Sequence, residues 1–410
     1  MAKGHILIIN RYFYPDSSSV PQLLTQLAED LAAARFRVSV ICSRASYNRA
    51  RRYPRYQNHK GIDIYRVNNI QGRNRGIFFR LLEALTFFIK VFFKGLSTAN
   101  VDLVLMLSSP PLSAFTGKQI ARLKRAKSIY LLEDLHPNLA AALGYVKPGG
   151  LMYKSAWKLN RQVFRKADKI VVLGTYMKDK VTADFTVDPG KIVVIPNWAD
   201  EKGIFPMEGR ENPLVKEWDL ENVFTVQYSG NMGLGHNFET ILEAIAQLKK
   251  EADIRFVFIG DGPRKKEITA AVKALGLTNL DMYPYQSYEK LHLSLNACDI
   301  ALVSMRPEVQ GMLVPSKIYG ILAAGKPFIL VGGENNEIAD IAKTYNVGRV
   351  VKEGDRQGIV DAVLFYKNNP ALLESEGQRA RKVFEEHFTR KRSISKYIET
   401  LTNVLTGDQS

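Results

Sequence analysis

The stretch FTVQYSGNMGLGHNFETILEAIAQLKK, Phe224 to Lys250, decides the fold. It opens on an apolar run sized for one buried strand, turns at Gly230, Gly233 and Gly235, and continues from Phe238 with apolar residues at helical spacing. A strand that passes through glycines into a helix is the unit of a parallel sheet, because parallel neighbours need a crossover between them. The unit recurs downstream around RFVFIG, LDMYPY, IALVSM and FILVGG, and upstream around HILIIN, RVSVIC, DLVLML, SIYLL, KIVVLG and IVVIPN. The alternation predicts an α/β chain built from doubly wound parallel sheets.

The segment IPNWADEKGIFPMEGRENP is rich in Pro and Gly and has no sustained period, which places a linker near residues 196 to 212. At 410 residues the chain exceeds what one core supports. The expected organisation is a first domain over 1–197, a second over 198–386, and a terminal helix over 387–410 that returns to the first. With 46% hydrophobic and 24% charged residues, wholesale disorder is excluded. Cys42 and Cys298 each lie in an apolar run, which argues against a secreted disulfide scaffold. The start, MAKGHILIINRYFYP, reads as a strand leading to a loop rather than a signal peptide. Charge is divided unevenly: residues 1–200 hold 31 Lys+Arg against 13 Asp+Glu, and the remainder 26 against 28. The whole excess of +16 therefore belongs to the first half and points to an anionic partner there.

In open parallel sheets ligands bind beyond the carboxyl ends of the strands, and two such domains facing each other would enclose a central cleft. After the first strand, Ser17, Ser18 and Ser19 precede a helix, where they either cap it or contact a hydroxylated or anionic acceptor beside Tyr14. SIYLL opens into EDLHP, so Glu133, Asp134 and His136 stand at one strand end, suited to holding or relaying a substrate hydroxyl proton. In the second half, Asn231, Gly233 and His236 follow one strand, and Gly260, Asp261 and Gly262 follow the next; both turns allow backbone to approach a phosphate. Further on, PEVQGMLVPSK carries Glu308, Gln310, Gly311 and Met312 ahead of Lys317, a cation where a helix start already favours an anion. With six His and two Cys, no recognisable metal-ligand set appears.

IFFRLLEALTFFIKVFFK, Ile77 to Lys94, is a separate feature. On a helical projection Arg80, Glu83, Thr86, Lys90 and Lys94 form one narrow stripe on an otherwise apolar cylinder. Its charges argue against a membrane span. The expectation is a helix lying in a lipid head-group region through Phe78, Phe79, Phe87, Phe88, Phe92 and Phe93, with Lys90 and Lys94 toward the lipid phosphates, flanked by Arg73 and Arg75. A core helix is the other reading. Arg49, Arg51, Arg52 and Arg55 either join that basic surface or form a solvated loop.

Taken together, SSPPL from Ser108, EDLHPNLAAALGYVKPG, VIPNWAD from Val194, YSGNMG from Tyr228, FIGDGP from Phe258 and VPSKIYGILAAGKP resemble a retaining family 4 glycosyltransferase, and within it the WbuB-like enzymes of bacterial O-antigen and exopolysaccharide assembly. The resemblance spans nearly the whole chain. It implies the GT-B architecture of two Rossmann-like domains and a nucleotide diphosphate sugar as donor, a UDP-linked N-acetylated or deoxy hexosamine. It further implies that the nucleotide lies against Gly260 to Gly262 and Tyr285, the diphosphate against Asn231, Gly233 and Lys317, and the sugar against the Gly311 loop. Asp134, His136 and Glu308 would serve the reaction, and Tyr14, Ser18 and Ser19 the acceptor, a saccharide on undecaprenyl pyrophosphate. The resemblance implies no metal and no other cofactor, with amides and cations neutralising the departing diphosphate, and a place on the cytoplasmic face of the inner membrane.

The chain departs from that pattern at Met312 and Gly320, where many relatives carry glutamates, and at Asn231, where an arginine is usual. Two other readings stay open: a nucleotide-sugar epimerase of the same fold, which needs a second carboxylate pair, and a basic nucleic-acid-binding protein, which needs aromatic-interleaved charge.

Overall fold

The computed structural model describes residues 3–16, 18–47, 51–68, 76–110, 112–207 and 211–408, and of residues 76–78, 80 and 81 the backbone alone. Ser17, Arg49, Arg73 and Arg75, and the side chains of Phe78 and Arg80, lie outside that description. The chain forms two compact units, one of Met1–Pro196 with Ser393–Ser410 and one of Asn197–Arg392. The terminal helix, Arg390–Thr406, thus joins the first unit, from Ser393 rather than from residue 387.

The first unit holds β1 (His5–Ile9), β2 (Arg37–Ser43), β3 (Tyr56–His59), β4 (Ile62–Val67), β5 (Leu103–Leu107), β6 (Lys127–Leu132), β7 (Lys169–Val172) and β8 (Ile192–Val194). They lie in the order β3-β4-β2-β1-β5-β6-β7-β8, parallel except where β3 runs against β4. β1 and β5 are buried throughout, as strands covered by helices on both faces must be. The β3–β4 hairpin is an addition to the expected strands. It turns on Lys60 and Gly61, both at positive φ, 48° and 82°, a geometry whose twist matches paired strands. Its outer strand YQNH is polar because it lies at the sheet edge.

The second unit holds β9 (Phe224–Ser229), β10 (Ile254–Ile259), β11 (Leu280–Tyr283), β12 (Ile300–Met305), β13 (Phe328–Gly332) and β14 (Gly348–Val351), ordered β11-β10-β9-β12-β13-β14 and wholly parallel. The short β14, GRVV, is the other strand beyond those expected. In both sheets the chain reverses its direction of growth once, between β1 and β5 and between β9 and β12. Those two reversals are where the crossovers part on opposite sides and leave room for a ligand.

The helix Gly76–Ser97 corrects the expected membrane face. Phe87, Phe88 and Val91 are buried against Leu7, Ile41, Val104 and Ile120, and Phe92 packs partly against the same cluster. Glu83, a member of the polar stripe, is buried and paired with the Arg11 guanidinium. Lys94 lies over the Tyr65 ring, its Nζ 3.8 Å from the centroid. The side chains left outward are Leu85, Ile89 and Phe93, exposed by 57%, 46% and 65%, with Lys90 beside them. The order of residues alone does not fix which way the polar stripe turns. Arg11, distant in sequence, draws part of it inward.

Breaking one partner of a buried ion pair leaves the other charge unsatisfied, at a cost of about 3 kcal/mol or more. Glu83→Ala is therefore expected to shift the urea midpoint of the first unit far more than Lys90→Ala, which should stay within about 0.5 kcal/mol. Equal shifts would mean that the Arg11 pairing contributes nothing.

Candidate active site

The reversal between β9 and β12 gathers a group of loops in the second unit. β9 leads into Gly230 and β10 into Gly260, and the loops that follow are stitched to each other by backbone. Gly230 N donates to Ile259 O at 2.9 Å, Met232 N to Asp261 O at 2.8 Å, and Arg264 N to Met232 O at 3.1 Å. This approach is possible because Gly260 and Gly262 carry no Cβ: one on Gly260 would overlap Gly230 O, and one on Gly262 would sit 2.5 Å from Met232 O. Both glycines also stand at positive φ, 142° and 156°. Asp261 turns its carboxylate onto the Gly262 amide at 2.8 Å, and Tyr285 brings its hydroxyl to 3.5 Å from Asp261 O.

Lys317 enters this cradle from the segment after β12. It is the first residue of the short helix Lys317–Ala323, with Pro315 just ahead of the cap. Its Nζ lies 3.5 Å from the centroid of the Tyr228 ring, is buried, and has no hydrogen-bond partner among the described residues. A Cβ added to Gly230 would stand 3.3 Å from that nitrogen, so the glycine keeps the space above it open. Burial pushes the Lys317 amine well below its usual proton affinity. One aromatic face offsets only about 0.5–2 kcal/mol of what the ammonium loses on leaving water. Buried lysines are ordinarily paired, and this one stands beside the Gly230 backbone instead.

His236 closes the loop from the other side. Its Nδ1 meets the Ser304 carbonyl, and since a carbonyl only accepts, Nδ1 carries the proton. Burial holds the ring down to about 3, so it is neutral at any physiological pH. Asn237 fixes the same turn through its amide on Ser304 Oγ at 2.8 Å and its side chain on Glu353.

Two groups missed in the sequence organise these loops. Tyr228 supplies the ring under Lys317 and donates its hydroxyl to Asn231 O at 2.7 Å. Arg264, buried at the end of the second loop, donates to His236 O at 2.8 Å and grips both Glu239 and Glu267, each at 2.6 Å. Arg306 adds a bond to Glu239 at 3.1 Å. A basic residue just past a Gly-Pro turn was the available signal, but its carboxylate partners are 25 and 3 residues away and no periodicity relates all three. Gln310 folds over Gly333 and leaves its Nε2 without a partner, beside Gly311 at φ 67°. Met312 is half-buried and Glu308 exposed in the same loop.

The first unit gathers a second group of polar residues at the ends of β5 and β6. Ser108 Oγ accepts the amides of Glu133 and Asp134, each at 3.0 Å. His136 N donates to Asp134 O at 3.0 Å, so carboxylate and imidazole share one turn. Burial pushes the Asp134 carboxyl up and the His136 ring down, and each partner opposes the other's shift. His136 Nδ1 is buried without a partner. Asn160, not singled out in the sequence, holds the turn by donating to His136 O while accepting from Tyr130 at 3.0 Å. At the end of β1, Tyr14 stacks on His59 at 3.8 Å and gives its carbonyl to the buried Arg66 at 2.7 Å. Ser18 stands at the cap of the helix Ser19–Ala33 but its side chain makes no capping bond; its Oγ is buried and unpartnered. Among the described residues no three His, Cys, Asp or Glu side chains converge as a metal site requires.

Comparison with known proteins gives the same division of the chain. Residues 21–198 match the family described as glycosyl transferase 4-like domain, and residues 215–383 match glycosyl transferases group 1. The probable glycosyltransferase WbjE of Pseudomonas aeruginosa is 29% identical over 74% of this chain and 75% of its own. The putative colanic acid biosynthesis glycosyl transferase WcaI of Escherichia coli K12 is 23% identical over 90% of this chain and 94% of its own. Among solved structures, Anabaena HepE in complex with UDP-glucose superposes with a TM-score of 0.72 at 14% identity, over 97% of this chain and 99% of that one.

A buried amine without a partner is a cost to the empty fold of about 1–3 kcal/mol, and Met fills nearly the same volume. Lys317→Met is expected to raise the thermal midpoint of the second unit. Because the folded amine binds its proton more weakly than the unfolded one, the wild type gains stability as pH rises toward 10.5, and the advantage of the variant shrinks over the same range. A variant less stable than wild type at pH 7 would reveal a partner for the amine.

Proposed function

The chain is a glycosyltransferase of GT-B architecture, and from that premise we propose that it transfers a sugar, with retention, from a nucleotide diphosphate to a lipid-linked saccharide during assembly of a bacterial surface polysaccharide. The observation that carries the donor half of this reading is Lys317, whose buried amine stands beside the Gly230 backbone with no hydrogen-bond partner among the described residues. A diphosphate supplies the acceptor oxygens that the amine lacks. UDP is the nucleotide favoured, in keeping with the UDP-glucose bound by HepE. The name of WcaI, a putative colanic acid biosynthesis glycosyl transferase, supports polysaccharide assembly as the setting, and that of WbjE supports glycosyl transfer. An N-acetylated or deoxy hexosamine on the donor, and undecaprenyl pyrophosphate under the acceptor, are the finer form of the proposal.

In this reading an acceptor hydroxyl attacks the anomeric carbon on the face the diphosphate leaves, the bond to phosphate oxygen breaks, and the departing phosphate takes the hydroxyl proton. Lys317 stabilises the charge that develops on that oxygen, and the stitched Gly230 and Gly260 loops hold it without reorganisation. On the first unit, Asp134 and His136 are assigned to binding an acceptor hydroxyl. His136 is suited to this because its unpartnered Nδ1 needs a hydrogen-bond partner. No residue is assigned as a nucleophile, and no metal is invoked.

The lipid-linked acceptor accounts for the surface of the first unit. No described helix is long and apolar enough to cross a membrane. Leu85, Ile89 and Phe93 form an outward apolar stripe on a helix of a strongly basic half-chain, which suits peripheral attachment to an anionic lipid surface on the cytoplasmic side.

Lys317→Ala is expected to lower kcat/KM at least 100-fold, on the scale of losing one charge-stabilising group, and to weaken UDP binding by calorimetry while the circular dichroism spectrum is kept. Unchanged UDP affinity would sink the donor assignment. Leu85→Ser combined with Ile89→Ser and Phe93→Ser should move the protein from floated anionic vesicles to the soluble fraction, whereas Phe87→Ser should instead destabilise the fold. Undiminished flotation of the triple variant would remove the membrane role of that stripe.

A further inference from the structure

The setting of Lys317 also carries an inference about protons, which rests on the donor reading above. We propose that the donor diphosphate is taken up together with a proton: Lys317 waits as a neutral amine against Tyr228 and becomes an ammonium when the diphosphate reaches it.

The geometry supports this element by element. From β9, the face presented to Nζ is the Tyr228 ring, whose hydroxyl is committed to Asn231 O and is pushed well above its usual range by burial, so it supplies no anion. From the loop after β9 comes His236, neutral, with Nδ1 committed to Ser304. From the helix after β10 comes the Arg264 guanidinium, and from the end of β12 that of Arg306; the carboxylate between them, Glu239, is engaged by both, and Glu267 by Arg264. Asp261 is turned onto the Gly262 amide. No carboxylate pairs with Lys317 among the described residues, and burial alone sets the direction of its shift. An amine so placed has nothing to hold a positive charge until an anion enters.

When the anion enters, the balance reverses. Solvent supplies one proton to the Nζ lone pair, the resulting ammonium donates to a phosphate oxygen, and no other bond changes. The other groups named do not titrate between pH 7 and 10 in this account, since His236 stays neutral, Tyr228 stays protonated and the two arginines stay charged. The proton is returned when the nucleoside diphosphate leaves. Within this window, donor affinity falls as pH rises, because the empty site has to gain a proton that becomes scarcer.

The test is calorimetry of the full chain with UDP at pH 8.5, where the phosphates of the probe are already fully ionised, in buffers of low and high ionisation enthalpy. The expected result is close to one proton taken up per UDP bound, and a dissociation constant that rises about tenfold per pH unit from about 7.5 to about 9, below the range in which the uracil N3–H of the probe ionises. Lys317→Arg, which cannot lose its proton, should bind UDP with no uptake and little dependence on pH. Lys317→Met should bind weakly at every pH, also without uptake. Tight binding by the wild type with no proton uptake overturns the proposal, as does equal uptake by wild type and Lys317→Arg. If UDP, GDP and dTDP all fail to bind the wild type, it is the donor reading itself that falls.

Discussion

The second unit depends on a single constraint: two backbone loops must lie against each other at the ends of β9 and β10. The hydrogen bonds from Gly230, Met232 and Arg264 that join them leave no room for side chains at Gly260 and Gly262. Everything polar in the site is arranged around that join. Tyr228 reaches Asn231 from beneath, Arg264 reaches His236 from beyond it, and Lys317 comes to rest on Tyr228 because Gly230 leaves a gap. A sheet of purely parallel strands makes the join possible, since it brings consecutive carboxyl ends to the same edge.

Stability and function pull in different directions at that edge. Other buried cations do have acceptors: Arg264 has two carboxylates, and Arg66 has Tyr14 O and Gln57. Lys317 differs from these, held over an aromatic face with no acceptor among the described residues. A fold selected for stability alone would place Met there. Retaining an amine makes sense where a ligand completes the pairing and the cost of the empty state becomes selectivity for an anion.

Much of this was legible in the sequence. The strand-loop-helix rhythm located the strands of both sheets apart from the β3–β4 hairpin and β14. Those were illegible because YQNH is polar and GRVV short, and only their neighbours β2 and β13 give them a sheet to join. The motif residues Asn231, Gly260, Asp261, Gly262 and Lys317 do converge at one reversal of one sheet. Tyr228 escaped notice because it looks like an ordinary strand residue, and Asn160 because it lies in a helix 24 residues from the carbonyl it holds.

The helix Gly76–Ser97 marks the boundary between the two sources of information. Its amphipathic character is written in the order of its residues, and so are the glycine turns, the linker and the basic bias of the first half. Which face of that helix turns inward is not, because Phe87 and Phe93 are equally apolar. The choice is made by Leu7, Ile41 and Ile120, which receive Phe87, and by Arg11, which buries Glu83. Local order determined what each segment could be. Packing against residues distant in the chain decided which side chains were left to meet a ligand or a lipid, because burial free energy depends on the partner surface and not on the segment alone.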